Sequence, residues 1–435
     1  MKTKTKSSLL IGIITLTTIF VVFAWIVRPV SAGPSIFFVF PSGGDDTVAI
    51  QTAFDKAIAA GPGSTVKLTP GQFYTNAIHV ENFHGSFKGS GIWNTKIDVL
   101  KGLDDTEQGV VGLYGVPYLF TFVGGDVCIS DLSINITPEK PAEPHEDPDD
   151  PAYDLIAIIE LTGDISSQIE DVKLTGHEGT LVNPFTEKTF NVRVGVEYNF
   201  GTGTHEISKC RFDSIWGGIS AFGLTNVDMK IKYNSIKRGT FGIINMDNDN
   251  SEFEITDNNI ESSFLYGIWV WQAGMLVPAL SPSEWCIYRN TIKASVFSDG
   301  IGLQDNLGAV EAVVAHNKIR LDDTVWGGIW TFGLRDAYIY NNRISGSGDY
   351  GIGCDFTDNC MFFGNIMTHL ENNGAYFYQS NGNSIIGNIF SNNGGWGLFM
   401  FDSNDNYIKG NVFYKNDLGN IYDNGNNVYK WNWEF

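Results

Sequence analysis

Four aspartates in the second half of the chain have the residue type and spacing for acid–base chemistry. Asp247 and Asp305 each stand five positions after the glycine of a Gly-Ile pair, Asp355 stands four positions after one, and Asp299 directly precedes one. Cleavage of a glycosidic bond needs one protonated carboxyl and one ionised carboxylate, and an apolar aromatic setting raises one of the two pKa values. We therefore take Asp305, Asp355, Asp247 and Asp299 as candidate catalytic residues. The alternative is that these aspartates only shape exposed corners of the backbone.

Six aromatic residues follow the same kind of glycine at two or four positions: Trp269, Trp271, Trp330, Phe332, Tyr376 and Tyr378. If the position after each glycine points inward, these six side chains point outward, because side chains alternate along a strand. Flat rings on a surface offer stacking platforms for sugars, and exposed apolar patches mark binding sites. We take the six as candidate ligand-binding residues. Cover by the protein's own loops and an interface with a partner are the alternatives.

Metal chemistry has weaker signals. Ca²⁺ is the one cofactor considered, because Glu146, Asp147, Asp149 and Asp150 supply oxygen ligands in the acidic, proline-spaced segment 137–153. A solvated loop is the other interpretation of that segment. A lyase would need a basic residue beside Ca²⁺-binding acids, and Arg320 and Arg335 are the nearest candidates. The seven histidines show no paired metal spacing, so no metal-ligating set is assigned.

These residues are carried by a repeat. An Asn followed two positions later by a large apolar residue recurs at intervals of 23 to 32 residues, and a Gly followed mostly by an aliphatic residue keeps step with it. A period of that length predicts a solenoid. The Asn series is Asn234, Asn258, Asn290, Asn317, Asn342, Asn365, Asn388 and Asn411. The Gly series is Gly218, Gly242, Gly267, Gly300, Gly328, Gly351, Gly374 and Gly397.

Each repeat contains short runs rich in β-branched and aromatic residues and no helix-length apolar pattern. The sequence therefore predicts an all-β, single-stranded parallel β-helix, in which three short strands make one coil and coils stack at about 4.8 Å. A right-handed path is the expectation from crossover chirality. The asparagines are expected at corners, where Asn tolerates left-handed backbone geometry and its amide can form a ladder of hydrogen bonds.

This pattern resembles the right-handed parallel β-helix repeats of the pectin-lyase-like superfamily, including NosD-like, carbohydrate-binding and sugar-hydrolysis types. The resemblance covers most of the chain after residue 40. It implies the fold more than an activity, because the superfamily includes lyases, hydrolases, epimerases, phage tailspikes, adhesins and the copper-accessory NosD group. The polygalacturonase motif set is not reproduced, and the scattered histidines do not support copper handling.

Residues 1–32 are predicted to be a cleaved signal peptide or an uncleaved N-terminal membrane anchor. Lys2, Lys4 and Lys6 precede an uncharged, mostly apolar run over 9–27, and a small-residue site ends at Ala32. Either interpretation exports the rest of the chain, with membrane contact only through residues 8–27 if these are retained.

Residues 33–435 are predicted to form one β-helix domain. Residues 33–75 resemble the N-terminal cap and first coil of pectate-lyase-like proteins, with an amphipathic helix over 45–60. A solenoid end exposes core and strand edges, so a cap is needed. At the other end, Tyr429, Trp431, Trp433 and Phe435 are predicted to form a second plug.

Charge limits the partners. Residues 33–435 contain 24 basic and 49 acidic residues, a formal net charge of −25, which argues against nucleic acid and anionic membrane surfaces. It also disfavours polyuronates unless a cation intervenes. The sequence favours an exported, extracellular, cell-surface or periplasmic protein that binds, and as a hydrolase or lyase cleaves, an extracellular polysaccharide. A non-catalytic surface, structural or adhesin-like solenoid is the alternative, and a copper-accessory protein is less favoured.

Overall fold

A computed structural model describes residues 33–99, 118–136, 155–176, 181–182, 189–190, 192–272, 281–295, 298–306, 310–322 and 326–435. The predicted signal or anchor and the acidic segment 137–153 lie outside the described residues. Within the described residues, helix α1 spans Thr47–Ala60. The strands are β1 Ile36–Val39, β2 Ser64–Leu68, β3 Gly71–Thr75, β4 Ile78–Lys88, β5 Thr95–Val99, β6 Phe120–Asn135, β7 Leu155–Thr175, β8 Leu181–Val182, β9 Thr189–Phe190, β10 Val192–Ser208, β11 Arg211–Asp213, β12 Gly217–Phe222, β13 Val227–Lys232, β14 Ser235–Met246, β15 Glu252–Thr256, β16 Asn259–Gln272, β17 Ser283–Tyr288, β18 Thr291–Ser295, β19 Ser298–Asp305, β20 Val310–Ala315, β21 Lys318–Asp322, β22 Gly327–Phe332, β23 Tyr338–Tyr340, β24 Arg343–Gly346, β25 Tyr350–Asp355, β26 Met361–Phe363, β27 Ile366–Thr368, β28 Asn373–Tyr378, β29 Ser384–Ile386, β30 Ile389–Ser391, β31 Trp396–Phe401, β32 Tyr407–Lys409, β33 Val412–Tyr414, β34 Gly419–Asp423, β35 Val428–Lys430 and β36 Trp433–Glu434.

The strands wind into coils that pair in parallel with the coil before and the coil after. In the regular C-terminal half, three strands make one coil: β22 pairs with β25, β23 with β26 and β24 with β27. The three sheets formed in this way enclose one continuous apolar core. The predicted all-β parallel solenoid is confirmed.

The repeating asparagines stack in one buried ladder. In the coil of Asn342, its Nδ2 donates to Asn365 Oδ1 at 3.0 Å and to the Val314 carbonyl at 2.9 Å. The same side-chain bond, between 3.0 and 3.2 Å, joins every neighbouring pair in the series and adds Asn432 at its end. The predicted ladder is confirmed.

The prediction that the ladder asparagines themselves adopt left-handed backbone geometry is wrong. The left-handed residue of each corner is the one before the ladder asparagine, with φ between +51° and +64°. Asn341 and Asp257 hold this conformation, and glycine holds it at Gly364, Gly387 and Gly410. The ladder asparagine is therefore selected for its amide bonds and not for backbone tolerance.

The glycine series keeps step with the asparagine series for a steric reason. A Cβ on Gly328 would lie 2.4 Å from Ile344 Cγ2 and 2.6 Å from the Gly351 carbonyl oxygen. At all eight positions the apolar residue of the next Asn motif occupies the place of the missing side chain, at 2.3 to 2.9 Å. The two signals share a period because one packs against the other inside each coil.

Helix α1 lies over the N-terminal end of the solenoid. Its buried stripe is Ile50, Ala53, Phe54 and Ala57, and the Phe54 ring packs 5.3 Å from that of Phe83. Ile58, which the sequence pattern assigns to the same stripe, is 36% exposed. Packing of this stripe covers the aromatic core of the first coils.

The predicted C-terminal plug is not formed. Tyr429, Trp431, Trp433 and Phe435 are 40%, 75%, 60% and 73% exposed. Trp433 pairs with the half-buried Val412, and Trp431 stands at a left-handed corner. Tyr429 pairs with the inward Ile408 but belongs to the last described coil, so its ring stays partly exposed.

Candidate functional site

Two outward rows of side chains run along the sheet that contains β12, β14, β16, β19, β22, β25, β28 and β31. The first row holds the residues two positions after the repeat glycines, and the second row those four positions after. Strand pairing brings the members of each row side by side. We call the surface formed by these rows the aromatic face. The first row is Ser220, Ile244, Trp269, Gly302, Trp330, Gly353, Tyr376 and Phe399, and the second is Phe222, Met246, Trp271, Gln304, Phe332, Asp355, Tyr378 and Phe401.

The orientation predicted for these rows is confirmed. The intervening positions are buried: Ile268 and Val270 are 0% exposed, as are Ile329 and Thr331. The six predicted ligand-binding residues are all partly exposed. Their role in ligand binding stays a prediction.

The rings of the face lie nearly parallel over long stretches. The Tyr376 and Phe399 rings are 5.8 Å apart at 20°, and the Phe399 and Tyr422 rings are 4.6 Å apart at 8°. In the second row the Tyr378 and Phe401 rings are 6.0 Å apart at 16°. The rings therefore stack on one another and form an apolar surface that continues from coil to coil.

The two glycines of the first row do not interrupt this surface. A Cβ on Gly302 would lie 2.4 Å from a carbon of the Tyr266 ring, and one on Gly353 would lie 2.6 Å from a carbon of the Tyr350 ring. Tyr266 and Tyr350 belong to a third row, made of the residues directly before the repeat glycines. Glycine is needed at these positions because a neighbouring ring occupies the space.

Asp299 lies beneath this aromatic surface, in the third row. It is 2% exposed. Its Oδ1 accepts hydrogen bonds from the Gly327 N–H at 2.7 Å and the Tyr350 hydroxyl at 3.2 Å. Burial raises the pKa of Asp299 to about 8, with a smaller contribution from the charge of Asp355. At neutral pH this carboxyl therefore holds its proton.

Asp355 is the acid of the second row and is partly exposed. Its Oδ2 accepts a hydrogen bond from Trp330 Nε1 at 2.9 Å. Burial also raises the pKa of Asp355, and the Trp330 bond opposes the rise. The structure thus joins two of the four candidate acids, Asp299 and Asp355, around Tyr350 and Trp330.

The other two candidate acids stand at the corner after the second row. Asp247 has left-handed backbone geometry, with φ of +48°, and is 2% exposed. Asp305 is 3% exposed, and its Oδ2 accepts the Val310 N–H at 3.0 Å. Asp305 and Arg335 line an open groove of about 770 Å³ around this corner. Phe332 of the second row borders the same groove, but Asp247 and Asp305 themselves belong to neither outward row.

Sequence reasoning missed the upstream end of the face. Strand pairing extends the first row through His79, Thr121, Glu160 and Glu197 to Ser220. Glu160 and Glu197 stand directly opposite each other on β7 and β10. The signal was available, because Gly195-Val196 lies 23 residues before Gly218-Ile219 and a Cβ on Gly195 would meet Phe212 at 2.7 Å.

The two glutamates belong to a buried polar cluster. Tyr118 is 2% exposed, and its hydroxyl lies within hydrogen-bonding reach of both carboxylates. Thr121 Oγ1 donates to Glu160 Oε2 at 3.2 Å. Burial raises the pKa of Glu160, and hydrogen bonds from Asn199, Thr121 and Tyr118 oppose the rise. This end of the face is lined by hydrogen-bonding groups instead of rings.

The described residues also bear on the metal and membrane hypotheses. Among the residues that the structure describes, no group of three or more His, Cys, Asp or Glu side chains is arranged to hold a metal ion. The candidate Ca²⁺ ligands Glu146, Asp147, Asp149 and Asp150 lie outside that part of the chain. The described helix is too short and too polar to cross a bilayer.

Family models match two parts of the chain. Residues 287–434 match the model of the periplasmic copper-binding protein NosD, and residues 159–278 match that of the right-handed β-helix region. No curated protein is significantly similar to the chain in sequence.

Solved structures share the fold at low identity. The A-module of mannuronan C-5 epimerase AlgE6 from Azotobacter vinelandii is 12% identical, with 90% of this chain and 96% of that chain covered and a TM-score of 0.52. The periplasmic alginate epimerase AlgG is 15% identical, with 83% and 84% covered and a TM-score of 0.57. The DFA-IIIase of Arthrobacter chlorophenolicus A6 is 13% identical, with 86% and 93% covered and a TM-score of 0.55. The chain therefore has the right-handed parallel β-helix fold of these structures.

Proposed function

We propose that the chain is an exported carbohydrate-active protein that binds an extended glycan along the aromatic face and hydrolyses it beside Asp299 and Asp355. One observation carries the proposal: stacked, partly exposed rings and two carboxyls with raised pKa meet on one outward surface. Carbohydrate-processing enzymes among the structural neighbours support it.

The rings suit binding because the C–H faces of sugars stack on flat aromatic surfaces. The face spans eight coils, roughly 34 Å at one strand spacing per coil, so a ligand that uses all of it is a polymer. Trp330 would have two roles: its partly exposed ring would contact the glycan, and its Nε1 donates a hydrogen bond that positions Asp355.

The two acids suit hydrolysis because the deeply buried Asp299 can act as the acid and the more exposed Asp355 as the base. Asp299 keeps its proton at neutral pH and, being 2% exposed, would reach the glycan through the Tyr350 hydroxyl. For this transfer the hydroxyl, which donates to Asp299 Oδ1 in the structure, turns to accept the proton of Asp299 and gives its own proton to the glycosidic oxygen. Asp355 accepts a proton from a water molecule, whose oxygen attacks the anomeric carbon as the bond to the leaving sugar breaks. One water is consumed for each bond cleaved.

Export is supported by the basic and apolar start of the chain and by the periplasmic proteins to which the fold is similar. The copper role of the NosD group finds no support among the described residues, because no cluster of metal-ligating side chains is present there.

Binding is tested by retention on a panel of immobilised polysaccharides. The double change Trp269→Ala and Trp330→Ala should weaken retention at least about tenfold, as expected for two central aromatic contacts. Tyr338→Ala is the matched control, because Tyr338 is 49% exposed on the neighbouring sheet. Undiminished retention of the double variant on every glycan that the wild type binds would remove the aromatic face from the proposal.

Cleavage is tested by the release of reducing ends from the retained glycan. Asp355→Asn should abolish release, whereas Asp305→Asn should leave it close to the wild type, because Asp305 stands at the corner with its carboxylate on the Val310 N–H. Full turnover in Asp355→Asn contradicts the mechanism. Retention without any release by the wild type would leave a non-catalytic glycan-binding protein.

A further inference from the structure

The ionisable side chains of the two outward rows, and of the third row beneath them, are almost all acidic. Among the described positions of these rows, none is Lys or Arg, and the single basic residue is His79. The acids are Glu81, Glu160, Glu197, Asp299 and Asp355. We propose that the glycan bound by this face is neutral and not a polyuronate. This inference rests on the proposed function and specifies its substrate.

The polar end of the face gives the first reason. Glu160 and Glu197 lie on adjacent parallel strands, about 4.8 Å apart along the solenoid. Like charges placed directly opposite each other on neighbouring strands are destabilising. A uronate would bring a third carboxyl group to a place where two already stand opposite each other. The hydroxyl groups of a neutral sugar instead donate hydrogen bonds to the partly exposed carboxyl group of Glu160, beside the buried Glu197.

The acids among the rings give the second reason. The neighbouring charge of Asp355 contributes to the raised pKa of Asp299 and to that of Tyr376. An anionic sugar stacked over Trp330 would stand beside Asp355, whose hydrogen bond comes from a neutral indole N–H and not from a cation. Repulsion of this kind is how interfaces exclude wrong partners.

A bridging cation could offset the repulsion, but these rows do not provide its ligands. Their acids come from different coils and rows, and the described residues hold no group of three acidic, histidine or cysteine side chains arranged around a metal ion. Two of the structural neighbours are named as a mannuronan C-5 epimerase and an alginate epimerase. The present face therefore differs from what that likeness alone would suggest.

The test compares one polymer in two charge states. Polygalacturonate and its carboxyl-reduced, neutral product are measured with the wild-type protein, together with a neutral glucan, a neutral mannan and alginate. Titrations are run in EDTA and in Ca²⁺, at low and high salt. We expect binding to at least one neutral polymer, insensitive to salt, and at least about 100-fold weaker binding to the polyuronates, as like-charge juxtaposition predicts.

The outcomes separate this inference from the proposed function. Tight polyuronate binding in EDTA or in Ca²⁺ overturns the inference and leaves the proposed function standing. Binding to no polysaccharide of either charge overturns both.

The polar end is tested separately. The double change Glu160→Gln and Glu197→Gln should weaken neutral-glycan binding at least about tenfold, because charged acceptors bind hydroxyls more strongly than amides. Glu252→Gln, on the neighbouring sheet, is the matched control. Circular dichroism checks that each variant is folded. Unchanged affinity of a folded double variant removes the glutamates from the site.

Discussion

Replacing Asp299 by Asn tests the most unusual electrostatic feature of the protein. The pKa of Asp299 is about 8 in the folded chain and about 3.8 when it is unfolded. Between these values the folded state holds a proton that the unfolded state releases, so stability falls as pH rises. The free energy of unfolding falls by about 1.4 kcal/mol for each pH unit above the unfolded pKa, which amounts to roughly 4 kcal/mol at pH 7. Asparagine cannot ionise, and its Oδ1 can still accept the Gly327 N–H and the Tyr350 hydroxyl.

We therefore expect Asp299→Asn to match the wild type near pH 4 and to exceed its stability by roughly 4 kcal/mol at pH 7. The assay is chemical denaturation of both proteins at pH values from 4 to 8.5.

Asp257→Asn is a control of opposite sign. The hydrogen bonds from Arg289, at 2.8 and 2.6 Å, lower the pKa of Asp257. The stability that this pair contributes is present above the unfolded pKa and is lost as pH falls through the folded value, so this variant should be weaker at neutral pH and approach the wild type in acid. If the free-energy difference between the wild type and Asp299→Asn were the same at every pH, Asp299 would not be a buried, protonated acid.

Two further changes test the packing of the coils. Asn365→Ala should lower the free energy of unfolding by roughly 3–5 kcal/mol, because it leaves buried partners at Asn342, Ile339 and Asn388 without their hydrogen bonds. The control is Asn404→Ala, in an exposed ladder, which should lower the free energy of unfolding by about 1 kcal/mol or less. Equal losses in the two variants would contradict the stabilising role of the buried ladder. Gly328→Ala should lower the free energy of unfolding by about 3 kcal/mol or more. Adding Ile344→Ala should restore part of this loss, and only part, because the new methyl group still meets the Gly351 carbonyl oxygen. Gly44→Ala, in open space, is its control, and a tolerated Gly328→Ala would contradict the steric account. Urea denaturation measures all of these.

The fold could be predicted from the sequence because one sequence repeat corresponds to one coil. The Asn motif and the Gly signal recur wherever a coil closes, so their period gives the architecture, and the strand alternation after each Gly gives the outward rows. The orientation of Trp269 and Trp330 could be predicted for that reason. Glu160 and Glu197 were missed because the series was started at Gly218, one coil after Gly195.

The chemistry of the site could not be predicted from spacing. Asp299 differs from Asp247 and Asp305 through Gly327 and Tyr350, which lie 28 and 51 residues further along the chain. Sequence separation hides such contacts because a solenoid brings together residues that are whole coils apart. The C-terminal aromatic residues show the reverse error: Trp431 and Trp433 have the composition of a plug, but Trp431 stands at a corner and Trp433 continues the outward position of Val412.

The asparagine ladder also has a bearing on how such a chain can change in length. Between each pair of neighbouring coils, the Asn Nδ2 of one coil donates a hydrogen bond to the Asn Oδ1 of the next coil toward the C-terminus. Neighbouring coils are therefore interchangeable units. Duplicating or excising one 23-residue period would restore the same contacts above and below. The length of the solenoid along a polymer can thus change in steps of about 4.8 Å while the core packing stays the same.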